Sequence, residues 1–173
     1  MKYHRLKTLL NHDIALLAYH LPLDAHAVYG NNVQLAKQLD FIVDGTLNTV
    51  DPALVFYGHL TKPMSGVELA NHIEKSLQRQ PLHIDNPNRK INRIVWCSGG
   101  AQDYIDAAIN AGADAYLTGE VSERTVHAAR ESGIHFFAAG HHATERYGVQ
   151  AVGQWLQQQF NIQHHFIDID NPA

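Results

Sequence analysis

Ile134-His135-Phe136-Phe137-Ala138-Ala139-Gly140-His141-His142-Ala143-Thr144-Glu145-Arg146 is the stretch that decides the architecture of this chain. Its apolar front, Ile134 to Ala139, has the length of a buried strand. Gly140-His141-His142 reads as a turn, and Thr144 to Phe160 as a long helix. A strand handing over to a helix through a glycine turn is the repeating unit of a parallel α/β sheet. His141 and Glu145 stand four residues apart. On a helix that spacing puts them ~40° apart on one face, within reach of one ion. Open α/β sheets bind ligands at the carboxyl ends of their strands, where this junction falls.

Working outward, the same unit occurs twice more upstream. Ile91 to Cys97 is a strand, Ser98-Gly99-Gly100 a turn and Gln102 to Ala111 a helix. Ala115-Tyr116-Leu117 is a short strand, Thr118-Gly119-Glu120 a turn and Glu123 to Glu131 a helix. His164 to Ile169 reads as a closing strand. With right-handed crossovers the strands lie parallel, and all three turns share one rim. The fold class is therefore α/β, a layered sheet with mostly parallel strand–turn–helix units in the C-terminal half.

The first half is less regular. Ile14 to Tyr19 reads as a buried strand, closed by His20-Leu21-Pro22-Leu23-Asp24. Asn31-Asn32 are placed to cap a helix carrying Val33, Leu35, Ala36 and Leu39. Ala53 to Leu60 reads as a strand. Ser65 and Glu68 have capping-box spacing and open a helix that runs to about Gln78. Gln80 to Lys90, with two prolines and two asparagines, reads as a loop. Residues 1–173 make a single domain.

Composition narrows the function. Of the 173 residues, 45% are hydrophobic and 17% charged, as in a globular protein. The net charge of −4 and the lack of a basic run argue against nucleic-acid binding through phosphates. One cysteine, Cys97, excludes an intrachain disulfide and fits a reducing cytoplasm. Neither a signal-peptide core nor a membrane-length apolar run is present. The 13 histidines equal all Lys and Arg combined, which raises the prior for a metal site without locating it.

Two further clusters could carry chemistry. His20-Leu21-Pro22-Leu23-Asp24-Ala25-His26 ends a strand-like run; Asp24 is an oxygen-ligand candidate flanked by two histidines. An aspartate capping a turn is the ordinary alternative. His127 lies seven residues after Glu120, and if both sit on the helix that follows the turn they occupy similar faces. They are candidates for orienting a ligand or transferring a proton, although a histidine bonded to a backbone carbonyl is a common fate for a residue like His127. His135 and His164-His165 read as structural or exposed, and Cys97 beside Trp96 as core. No dinucleotide fingerprint, P-loop or nucleophile elbow is present. Imidazole and carboxylate together suit Zn, Mn, Fe or Ni better than Ca.

These segments, with Leu117-Thr118-Gly119-Glu120 and Ala139 to Arg146, together resemble the Nif-three-like (YbgI-type) dinuclear metal-centre proteins, often labelled GTP cyclohydrolase 1 type 2 homologues. The resemblance runs from about Arg5 to Ala173. It implies an α/β fold, a site for two divalent metal ions and a ring-like homohexamer. The family's ligands fall on Asp24, His141 and Glu145. It also implies an N-terminal segment with a His-His-Gly motif that supplies two more ligands. Nothing before Leu6 matches that motif, so the chain reads as the family without its front segment. The function implied is a metal-dependent hydrolase acting on a small molecule, with a nucleotide- or pterin-like heterocycle as substrate class. Glu120 and His127 then serve as catalytic partners. A non-catalytic metal-binding protein, or an oligomeric scaffold with an incomplete site, is the alternative.

Overall fold

The computed structural model describes residues 1–47 and 53–173. One six-stranded sheet organises it: β1 (Phe41–Leu47), β2 (Val55–Met64), β3 (Leu82–Ile84), β4 (Ile91–Trp96), β5 (Ala115–Thr118) and β6 (His135–Ala138). Their order across the sheet is β1-β2-β4-β5-β6-β3. β4, β5 and β6 run parallel, while β1, β2 and β3 pair antiparallel with their neighbours. The helices are α1 (Lys2–Asn11), α2 (Leu21–Ala25), α3 (Asn31–Gln38), α4 (Gly66–Leu77), α5 (Ile105–Asn110), α6 (Glu123–Ser132), α7 (His141–Glu145) and α8 (Tyr147–Phe160).

The central strands are buried on both faces, so they are apolar throughout rather than alternating with polar residues. Alternation instead sorts their side chains between two cores. Ile94, Trp96, Ala115, Leu117 and Phe137 face α3 and α4, meeting Leu35, Leu39, Leu69, Ile73 and Leu77. Val95, Cys97, Tyr116 and Phe136 face the other way, against Ile105 and Ala108 of α5 and Ala129 of α6. The result is three layers, with helices on both faces of the sheet.

Local chemistry explains the helix ends. Ser65 and Glu68 form the expected capping box: Glu68 Oε2 accepts from the Ser65 N–H at 2.7 Å, and Ser65 Oγ accepts from the Glu68 N–H at 3.3 Å. Leu69, Ile73 and Leu77 recur every four residues, so α4 buries a single stripe. Gln78 stops it in the left-handed region at φ 58°.

Four expectations fail locally. Ile14 to Tyr19 forms no strand; it is an unpaired segment with Ile14, Leu16, Leu17 and Tyr19 exposed. His164 to Ile169 likewise forms no strand, and Ile167 and Ile169 are exposed. An apolar run signals a need for cover, but a strand also needs a partner strand, and neither run pairs with one among the described residues. Gln80 to Lys90 is not all loop, because β3 lies within it and pairs with β6. The helix after β6 begins at His141 rather than Thr144 and breaks at Arg146.

Candidate metal centre

The three expected turns do share a rim, and backbone bonds lace them together. The Gly119 N–H donates to the Gly99 carbonyl at 2.9 Å, and the Gly140 N–H donates to the Gly119 carbonyl at 2.9 Å. Thr118 Oγ1 donates to the same Gly99 oxygen at 3.1 Å, and Thr144 Oγ1 accepts from the Gly99 N–H at 3.0 Å. Gly99 sits at φ +68°, where a side chain is strained, and a Cβ there would strike the Glu145 carboxylate. The backbone thus passes directly beneath the candidate ligands.

A cleft of about 300 Å³ opens on this rim, lined in part by His20, Asp24, Cys97, Ser98, His141 and Glu145. The strand–turn–helix unit around β6 and the α2 segment therefore bring Asp24, His141 and Glu145 to one place. His141 Nε2 lies 3.0 Å from Glu145 Oε2, and its Nδ1 lies 2.6 Å from Glu120 Oε1. Glu120 thus fixes the ring from behind while Nε2 points toward Glu145. His127 is exposed on α6 and does not line the cleft. His20 lines the cleft, whereas His26 caps the following loop, its Nδ1 accepting from the Tyr29 N–H at 3.0 Å.

Asn31 and Asn32 do not cap α3, as their position suggests; Gly30 is its N-cap, and the two asparagines do larger work. Asn31 Nδ2 donates to Asp24 Oδ1 at 2.7 Å, and Asn31 Oδ1 accepts from the Gly148 N–H at 2.8 Å. Asn32 is fully buried and reaches three segments: its Nδ2 meets the carbonyls of Asp24 and Leu54, and its Oδ1 the Ser98 N–H. The pair ties α2, α8 and the β4 turn together around the cleft. Their adjacency at a buried helix start is the signal available in sequence.

Electrostatics show a site short of positive charge. Burial raises the Asp24 carboxyl above its usual range, only partly offset by Asn31, His20 and His141. Burial also raises Glu145; His141 opposes this, and the neighbouring Asp24 charge adds to it. On His141 burial disfavours charge, but the Glu120 bond and the charges of Glu145 and Glu120 outweigh it and raise its pKa. The Cys97 thiol is pushed up to about 12, chiefly by burial and then by Asp24 and Glu145, so it stays protonated. Ser98 Oγ is buried with no hydrogen-bond partner among the described residues. Crowded carboxylates, an oriented imidazole and an orphaned hydroxyl fit a divalent cation with oxygen and nitrogen ligands.

Among the described residues, the group of three whose ligand atoms all lie within 4.8 Å of one another is not this trio. It is His83, Asp85 and His135, at the β3–β6 edge of the sheet. The chain therefore has a His/Asp group with the spacing to hold a metal, besides the cleft at the rim.

An α/β sheet with an acidic, imidazole-bearing cleft at the carboxyl rim of its parallel strands defines the class of protein. The chain belongs to the Duf34/NIF3 (NGG1p interacting factor 3) family, whose pattern matches residues 1–172. A GTP cyclohydrolase 1 type 2 homolog of Pseudomonas aeruginosa is 62% identical over 174 residues, covering 100% of this chain and 69% of that protein. The homolog of Escherichia coli K12 is 51% identical, with the same coverage of 100% and 69%. A solved structure described as protein ybgI, of unknown function, superposes with TM-score 0.95 at 52% identity, covering 100% of this chain and 69% of that one. TTHA1606 from Thermus thermophilus gives TM-score 0.79 at 30% identity, over 98% of this chain and 66% of that one. No described helix is long and apolar enough to cross a membrane.

Proposed function

We propose that the rim cleft is the metal centre of a metal-dependent hydrolase, with Asp24, His141 and Glu145 as ligands. The observation that carries this is the Glu120–His141–Glu145 chain facing buried Asp24 in one cleft. Divalent ions of the Zn, Fe, Mn or Ni class, two in the full centre, supply an electrophile that polarises a substrate oxygen and activates water. Asp24 and Glu145 neutralise that charge. Asn31 Nδ2 engages Asp24 Oδ1, and Asp24 Oδ2 has no side-chain hydrogen bond among the described residues. Glu120 holds His141 by Nδ1, so that Nε2 presents its lone pair to the cleft once its proton is displaced. Glu145, 3.0 Å from Nε2, is placed to take that proton. His127, exposed on α6, is the more distant catalytic assignment and acts only if substrate bridges to it.

Three donors suffice for one catalytic ion, and a second needs donors beyond these three. The names of the relatives favour a nucleotide- or pterin-like heterocycle as substrate. Exposed apolar residues on α1 and the segment after it, among them Leu6, Leu10, Leu16 and Leu17, favour self-association, with the homohexamer as the assembly. A cytoplasmic setting fits the single reduced cysteine. The test is hydrolysis of GTP and related purine and pterin substrates by zinc-, manganese- and iron-loaded protein, followed by product chromatography. Turnover that requires metal and disappears in Glu145→Gln is the expected result. Metal retained in Glu145→Gln together with no turnover by either form favours the non-catalytic alternative.

A further inference from the structure

The geometry points to a second, separate metal site: His83 Nε2, Asp85 Oδ1 and His135 Nδ1 form three corners of a tetrahedral zinc-type centre that pins edge strand β3 to β6. Antiparallel pairing creates the juxtaposition. His83 lies opposite Phe137 and Ile84 opposite Phe136, so the next step along the ladder brings Asp85 beside His135. Side chains two apart share a face, which puts His83, Asp85, His135 and Phe137 on one side of the sheet.

The three ligand atoms are mutually close. His83 Nε2 is 3.2 Å from His135 Nδ1 and 3.6 Å from Asp85 Oδ1, and His135 Nδ1 is 3.3 Å from Asp85 Oδ1. A tetrahedral ion with ligand bonds of about 2.0–2.1 Å has ligand–ligand edges of about 3.3–3.4 Å. The triangle therefore matches one face of that polyhedron. Asp85, about two-fifths exposed, leaves the fourth position open to water.

Protonation favours the same reading. His135 is fully buried, and its Nε2 lies 2.8 Å from the Arg89 carbonyl, which can only accept. Nε2 thus carries the proton and Nδ1 keeps its lone pair, as in metal-ligating histidines held by a carbonyl. Without an ion, two acceptors, His135 Nδ1 and Asp85 Oδ1, crowd each other and share the single His83 proton. A long 3.3 Å contact from the Asn86 N–H to His135 Nδ1 is the only other donor there among the described residues, and the ion would replace it. The pocket also has a shaped floor: a Cβ on Gly66 would collide with Asp85 Oδ1 and with Cε1 of both rings. β3 has three ladder pairs and lies at the sheet edge, so the ion holds a strand that would otherwise fray.

This site uses no atom of the rim cleft, so the two readings fail independently. The test loads the chain carrying His141→Ala and Glu145→Gln with cobalt(II) and reads its visible absorption. Intense tetrahedral bands, with about one cobalt per chain and displaceable by zinc, are expected. Adding Asp85→Asn or His83→Gln should abolish them. Weak six-coordinate bands, or bands indifferent to both substitutions, overturn the proposal. On the unsubstituted chain, zinc should shift the imidazole nitrogen resonances of His83 Nε2 and His135 Nδ1 and slow β3 amide exchange. Resonances that zinc leaves unmoved overturn it equally, whether or not the variants fold.

Discussion

The rim cleft and the β3–β6 edge use the same residue types in opposite ways. At the rim, a donor from α2 and a touching pair from α7 line one cleft, and burial disfavours the charge on both carboxylates. At the edge, three donors already touch, fixed by strand register and by the Arg89 carbonyl. An open cleft with unmet charge suits substrate and turnover. Donors held by strand register on an edge strand suit an ion that stays and stabilises. Metal-site geometry, rather than ligand identity, separates the two roles.

The sharpest way to break that contrast is Glu145→Gln, which keeps the volume and removes the charge. Metal-dependent hydrolysis should fall by more than ~100-fold, since even partners that merely orient a ligand contribute 10–100-fold. Steady-state kcat/KM reads the loss, and cobalt bands from the edge site should persist. Glu120→Gln comes next. The ring of His141 loses its anionic support, and metal affinity at the cleft should drop by roughly 10–100-fold with folding intact. Competition titration against a chromophoric chelator measures it.

Asn32→Ala sharpens the comparison through stability. It strands the Ser98 N–H and the carbonyls of Asp24 and Leu54 in buried surroundings. A loss of about 1–3 kcal/mol in urea unfolding is expected. Zinc protection of β3 amides should survive, because Asn32 does not touch that edge.

The smallest effect concerns pH at the start of β5. Burial raises the Asp114 pKa, but bonds from the Arg93 and Asn92 N–H groups and from Arg89 outweigh it and hold the carboxyl below its ordinary 3.8. A carboxyl depressed in the folded state contributes stability above its unfolded pKa and loses it as pH falls through the folded one. Asp114→Asn should therefore lower the melting temperature near neutrality and flatten its decline in acid below about pH 4. Parallel acid melts of the two proteins read the difference.

Local signals in the sequence are enough for the centre of the fold and for the rim. β4, β5 and β6 are continuous apolar runs ended by glycine turns, and His141 and Glu145 lie one helical turn apart. Ser65 and Glu68 announce their capping box for the same reason. What escapes depends on partners distant in the chain. β3 is three residues inside a proline-rich stretch, and only pairing with β6 makes it a strand. The edge cluster joins His83 to His135 across that pairing, so no spacing reveals it. Ile14 to Tyr19 misleads in the opposite direction, because hydrophobicity is present and no partner strand lies beside it among the described residues. Asn31 and Asn32 look like caps because capping is what asparagine does locally, whereas their bonds run to Asp24, Ser98 and Gly148.

The most direct test of the cleft as a metal centre is an anomalous difference map at the zinc edge from crystals of this chain equilibrated with zinc. The expected result is a peak within bonding distance of His141 Nε2 and a Glu145 carboxylate oxygen, with Asp24 turned toward it. A map with no peak among Asp24, His141 and Glu145, while those side chains keep their present rotamers, would contradict the account.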